Sequence, residues 1–190
     1  MAHLYFNYGT VASGKSTELL RVAHNYKIQG KKILTYCPAI DTRSGIGKIK
    51  SRLGMEKDVI PIEVDTDIFK DAALERPVCI LVDEANFLTK EHVIQLAEIV
   101  DKLKIPVMAY GLKNTFASEL FEGSYYLLIH ADKIREIKTV CYYCDRKATH
   151  VLRIEDNKPV FAGDTIKVDG DGCEYTPVCR GCWFKRKGKW

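Results

Sequence analysis

The sequence predicts an α/β fold: a mostly parallel sheet flanked by helices, followed by a small cysteine-rich domain. Three observations predict it. A short aromatic strand, Leu4 to Tyr8, runs through a glycine loop into a helical pattern and then into a second apolar strand, an order that yields parallel pairing. The run Val78 to Val82 is continuously apolar, as suits a central strand buried on both faces. Five of the seven cysteines fall in the last fifty residues, so the chain divides into a core domain over 1–140 and an appendage over 141–190.

Taken in order, Leu4–Tyr8 is the first strand, and Leu19, Leu20, Ala23 and Tyr26 give helical spacing from Lys15 to Gln29, stopped by Gly30. Ile33–Cys37 is the second strand, closed by Pro38. Residues 39–57 are polar, with three glycines and the cations Arg43, Lys48, Lys50 and Arg52, and read as a mobile loop. Val59–Val64 reads as a strand and Asp65–Glu75 as a short helix. Thr89 is a fitting N-cap for a helix from Lys90 to Lys104 with Val93, Leu96, Ala97, Val100 and Leu103 on its apolar stripe. Ile105–Leu112 is the next strand, then a loop, a short helix to Phe121 and strand-like material through Val140.

Composition removes several classes. No apolar stretch approaches the roughly 18–20 residues of a membrane-spanning helix, and nothing at the N-terminus resembles a secretion signal. Hydrophobic residues at 46% beside 28% charged describe a folded soluble chain, expected in a reducing cytoplasm. Four of the 29 Lys+Arg (Lys185, Arg186, Lys187, Lys189) sit in the last eight residues, which leaves the first 182 residues with as many cations as acids. The formal +4 is a tail effect, and the tail reads as solvated or frayed. A uniformly basic nucleic-acid-binding domain is therefore disfavoured.

Three motifs carry chemistry. Gly9-Thr10-Val11-Ala12-Ser13-Gly14-Lys15-Ser16, followed by Thr17, matches G-x-x-x-x-G-K-[ST] between a strand and a helix, which makes the core a P-loop (RecA-like) sheet. Its amides and the helix N-terminus can face a β-phosphate, Lys15 neutralises β/γ charge, and the Ser16 hydroxyl can ligate Mg²⁺. Asp83-Glu84 ends the buried strand. Neighbouring strand residues point to opposite sides, which predicts Asp83 on Mg²⁺ and Glu84 beyond the γ-phosphate as base for a hydroxyl or water. A helix cap plus a solvated acid is the bland alternative. Cys141-x-x-Cys144 and Cys179-x-x-Cys182, 34 residues apart, supply the four thiolates of a tetrahedral Zn²⁺ site. Disulfides, a redox pair or coincidence are the competing readings, and the separation requires a long excursion between the knuckles. Cys173 completes no knuckle and reads as a passive loop thiol.

Jointly, G-x-x-x-S-G-K-S-T-E-L-L, P-A-I-D-T-R, V-D-E-A-x-F-L, Y-G-L-x-x-x-F, A-T-x-x-L-R and Y-x-x-V-C-R-x-C span nearly the whole chain, which resembles the zinc-containing, P-loop thymidine kinases of the cytosolic type. The resemblance implies ATP-dependent phosphorylation of the thymidine 5′-hydroxyl, with Glu84 as general base and Lys15 and Ser16 on phosphates and Mg²⁺. It places Asp41 and Arg43 near phosphate and metal, and Phe87, Leu112 and Phe116 around the base, with Val11 and Asn86 beside them. Tyr175 would belong to a lasso over the nucleoside, anchored at both ends by the zinc. A homotetramer and feedback inhibition by the triphosphate end product, dTTP, are implied in the same way. Two positions depart from the family pattern: Asn86 stands where Gln is usual, and Lys113-Asn114-Thr115 follows Y-G-L. Both are expected to border the nucleoside, so deoxyuridine-type analogues are expected as second substrates. The rival class is a P-loop ATPase with a zinc ribbon that acts on nucleic acid, using Glu84 to activate water.

Overall fold

A computed structural model describes residues 1–42, 45–164 and 172–189. Six parallel strands form the central sheet: β1 (Leu4–Gly9), β2 (Ile33–Pro38), β5 (Ile60–Ile62), β6 (Cys79–Val82), β7 (Val107–Gly111) and β8 (Lys133–Ile137), in the spatial order β5-β2-β6-β7-β1-β8. Because every neighbour is parallel, all six C-terminal ends lie along one edge, where the connecting loops converge.

The apolar run in β6 is divided between two cores. Ile80 and Val82 pack with Leu4, Phe6, Tyr36 and Ala109 under α2 (Ile68–Glu75), α3 (Lys90–Glu98) and α4 (Glu122–His130). Cys79 and Leu81 point the other way, onto Leu19, Leu20 and Ala23 of α1 (Lys15–Ile28). Period-two alternation on a doubly covered strand produces this split.

A second sheet is antiparallel, in the order β10-β9-β11: β9 (His150–Glu155), β10 (Lys158–Val160) and β11 (Cys173–Val178). With α5 (Arg180–Arg186) it buries Cys141, Leu152, Val178, Cys179 and Trp183 in a separate small core.

Five expectations are corrected. Within 39–57, β3 (Lys48–Lys50) and β4 (Glu56–Asp58) form an antiparallel hairpin with Ile49 buried against the α1-side core, because cations alternate with Ile49 and Ser51 at period two. The α-helix from Lys90 ends at Glu98 and continues as a π-turn, Ile99–Leu103, whose wider turn lets both Ile99 and Val100 face the core. Thr89 caps it as expected, accepting from the His92 amide. No helix ends at Phe121: the α4 helix begins there instead. Gly123 looks like a breaker but is required, since a Cβ would stand 2.3 Å from the Ala85 carbonyl oxygen. Cys173 opens strand β11 and is buried, so it is not a loop thiol. The basic tail is helical to Arg186. The Arg186 guanidinium lies over the Tyr143 ring and Lys187 over Trp183, cations at a helix C-terminus where the dipole favours them.

Candidate active site

The phosphate loop leaves β1 at Gly9, where a Cβ would stand 2.4 Å from Ser13 Oγ and 2.6 Å from the Ile137 carbonyl oxygen. Only glycine allows that close approach. Gly14 then caps α1 in the left-handed region, φ +87°. Between them the loop closes on itself: Lys15, 7% exposed, donates from Nζ to the Thr10 carbonyl at 2.9 Å. An ammonium held this way at a helix N-terminus is a preformed anion site.

Asp83 and Glu84 follow β6. Both are buried and both line the same cavity. The expectation that they point to opposite sides fails because β6 ends at Val82, and Glu84 itself adopts a left-handed backbone, φ +46°. That conformation is costly for a non-glycine residue and is concentrated at functional positions. Burial raises the Asp83 pKa, the neighbouring Glu84 carboxylate adds to the rise, and the Ser16 hydroxyl and Lys15 oppose it. One Asp83 oxygen, Oδ1, is buried without a hydrogen-bond partner. An orphaned carboxylate oxygen beside a serine hydroxyl is a donor set that fits a divalent cation.

The cavity has a volume of about 540 Å³. Its walls include Val11 to Thr17, Asp41, Asp83, Glu84, Phe87, Leu112, Phe116 and Tyr175, so most of the residues singled out in the sequence meet in one space. Gly9 and Thr10 shape the loop from behind. Arg43 and the middle of the long excursion, residues 165–171, lie outside the described residues.

Asn86 is a correction. It is 1% exposed and off the cavity wall. Its Oδ1 accepts from the Leu112 amide at 2.9 Å, so it positions Leu112 from behind rather than bordering a ligand. Ser124 completes the grip by donating to the Leu112 carbonyl oxygen at 2.5 Å. Lys113 is likewise off the wall and lies over the Tyr8 ring, while Asn114 and Thr115 do face the cavity.

Sequence reasoning missed other wall residues: Lys48, Lys50 and Arg52 on the β3–β4 hairpin, Phe121 ahead of α4, and Val151 on β9. The cation alternation was a usable signal for the first three. Nothing local marks Phe121 or Val151.

The four cysteine sulfurs of the two knuckles lie within 4.8 Å of one another. Cys144 Sγ is 3.7 Å from Cys179 Sγ and 3.8 Å from Cys182 Sγ. Four sulfurs about 2.3 Å from a central zinc would stand about 3.8 Å apart, whereas a disulfide needs about 2.05 Å. The amides of Tyr143 and Cys182 each donate to a knuckle sulfur, and all seven cysteines are free. The disulfide alternative is set aside, and the cluster can hold a zinc ion.

The fold and site define a class: an α/β, P-loop protein with a buried acidic pair, an aromatic-walled cavity and a four-cysteine cluster able to hold a metal ion. A family profile described as "Thymidine kinase" matches residues 2–183. The chain is 54% identical over 186 residues to the thymidine kinase of Streptococcus pyogenes serotype M3 (strain ATCC BAA-595 / MGAS315), covering 97% of this chain and 98% of that one. It is 54% identical over 187 residues to that of Streptococcus gordonii, covering 97% of each, and 51% identical to that of Lactococcus lactis subsp. lactis over 97% and 98%. The chain belongs to the thymidine kinase family. Among solved structures, a Bacteroides Pif1 bound to ssDNA and the Pif1 helicase of Candida albicans align at TM-scores of 0.38 and 0.40, with 13% and 14% identity, over 71% and 72% of this chain and 38% and 36% of theirs. Those scores carry no argument about this chain.

Proposed function

We propose that the chain is a thymidine kinase that transfers the γ-phosphoryl group of ATP to the thymidine 5′-hydroxyl, giving thymidine monophosphate and ADP for nucleotide salvage. The observation that carries this reading is the shared cavity, which joins the phosphate loop and the acidic pair to Phe87, Leu112, Phe116 and Tyr175. Phosphates bind the loop amides and Lys15. Ser16 and Asp83 would hold Mg²⁺, with Asp41 nearby on the wall. Bound Mg²⁺ supplies charge neutralisation on the β- and γ-phosphates. Glu84 accepts the 5′-hydroxyl proton as that oxygen bonds to the γ-phosphorus. The bond from the γ-phosphorus to the β–γ bridging oxygen breaks, and its electron pair leaves with ADP. Phe87, Leu112, Phe116 and Tyr175 pack the nucleoside and exclude water.

The four cysteines would hold Zn²⁺ through their sulfurs, which would give it a structural rather than a catalytic role. Residues 1–140 act as the kinase domain and 141–190 as the zinc domain, with the intervening excursion as a substrate cover. A cytoplasmic homotetramer subject to feedback by dTTP completes the proposal, with deoxyuridine analogues as second substrates. The nucleic-acid ATPase reading is not favoured, because the first 182 residues carry balanced charge. Among the described residues no helix is long and apolar enough to cross a membrane.

The test is ATP turnover with a panel of deoxynucleosides and, separately, with single-stranded DNA. Turnover is expected with thymidine and, more weakly, deoxyuridine. Turnover with DNA and with no pyrimidine deoxynucleoside would sink the proposal.

A further inference from the structure

Arg153 on β9 lies behind the cavity wall and touches three distant parts of the chain. Its guanidinium carbon sits 4.8 Å from the centre of the Phe116 ring. Nε donates to Glu155 Oε1 at 2.6 Å, and Nη2 donates to the same oxygen. Nη1 donates to the Asp164 backbone carbonyl at 2.7 Å. The side chain is only 4% exposed. Across the β9–β11 ladder its partner is Tyr175, a wall residue, and its chain neighbour two positions earlier is Val151, another.

A buried ion pair is a weak device for stability, since apolar residues of similar volume often hold a fold as well or better. What a guanidinium offers that an apolar side chain or a lysine does not is a rigid planar fork. It can stack on an aromatic face and donate in fixed directions at the same time. Here the stacked ring belongs to the cavity wall, and one fixed donor holds the backbone at Asp164, within the long excursion between the knuckles. Phe116 is also held through its backbone, where its carbonyl oxygen accepts from Trp183 Nε1 at 3.1 Å, next in sequence to Cys182. Sheet strand β9 and helix α5 thus grip one aromatic wall residue at ring and backbone.

We propose that Arg153 is a positioning residue for the nucleoside: tied to the Asp164 backbone and to Glu155, it fixes the Phe116 ring, so that the aromatic wall presents a preformed surface to the base. It acts through Phe116 and touches no reacting atom. The inference rests on the thymidine kinase reading above.

Steady-state kinetics on the full-length, zinc-loaded enzyme test it. Arg153→Met and Arg153→Lys are each expected to raise KM for thymidine about tenfold, with kcat and the KM for ATP within about twofold of wild type, because misplacing a binding wall costs substrate affinity at that wall. Lysine keeps the charge but not the fork, so its failure to rescue separates positioning from simple charge compensation. Glu155→Gln, which loosens the guanidinium without removing it, is expected to raise the same KM about threefold. Zinc content and melting temperature report folding. If Arg153→Met does not fold, Arg153→Lys and Glu155→Gln decide on the same terms. An unchanged thymidine KM, or thymidine and ATP KM rising together in folded variants, overturns the proposal. A wild-type enzyme that does not phosphorylate thymidine sinks the functional reading itself, and this inference with it.

Discussion

The two ends of the cavity are built by different means. At the phosphate end one contiguous octapeptide makes the site from its own backbone: Gly9 gives close approach, Gly14 the left-handed turn, and Lys15 folds back onto the Thr10 carbonyl. At the aromatic end nothing is contiguous. Leu112 is held by Asn86 and Ser124, and Phe116 by Arg153 and Trp183, each from another part of the chain. The first end is set by local backbone geometry and the second by buried polar ties between elements. Damage at the first should therefore strike chemistry and phosphate binding. Damage at the second should strike nucleoside affinity while leaving ATP alone.

Ordered by size, four changes break or sharpen that contrast. Glu84→Gln should lower kcat by about 10²–10⁴-fold with both KM values little changed, the signature of a lost general base. Lys15→Met should lower kcat/KM by about 10²–10³-fold and weaken ATP binding measured by titration, because one charge donor to the phosphates is gone. Removing zinc with a chelator should release the C-terminal sheet and with it the Trp183 bond to Phe116. Thymidine affinity should fall by about tenfold or more while an ATP titration changes little, since structural zinc supplies the folding energy of such small modules. Gly123→Ala should destabilise by about 1–3 kcal/mol in thermal or urea unfolding, because the added methyl meets the carbonyls of Ala85, Asn86 and Leu88 with nowhere to move. Equal losses of ATP and thymidine affinity after chelation would erase the distinction between the ends.

The same contrast explains what could be read from the sequence. The phosphate loop, the acidic pair and the cysteine knuckles are local patterns whose spacing carries their chemistry, and the parallel order of β1, α1 and β2 follows from them. Thr89 was legible as a cap for the same reason. The hairpin at Lys48–Asp58 was legible only in the alternation of Lys48, Lys50 and Arg52 with Ile49 and Ser51, because its strands are three residues long and the glycines and charges around them read as a loop. Helix α4 was hidden by Gly123, a residue that reads as a breaker until the Ala85 carbonyl is seen against it. Asn86 reads as a ligand neighbour because it stands where the resembled family usually has Gln. In space its amide turns back to the Leu112 backbone, a long-range bond that no local pattern announces. Arg153 lay within a quoted motif, yet its ties to Phe116 and Asp164 needed the fold.

The central claim is that the buried acid beside the phosphate loop serves a nucleoside hydroxyl rather than water. The most direct measurement follows the label from γ-labelled ATP with and without thymidine. The account predicts label on the 5′-oxygen of thymidine and almost none in inorganic phosphate, with ATP left intact when thymidine is absent. Label released as inorganic phosphate at the same rate with or without thymidine would contradict it.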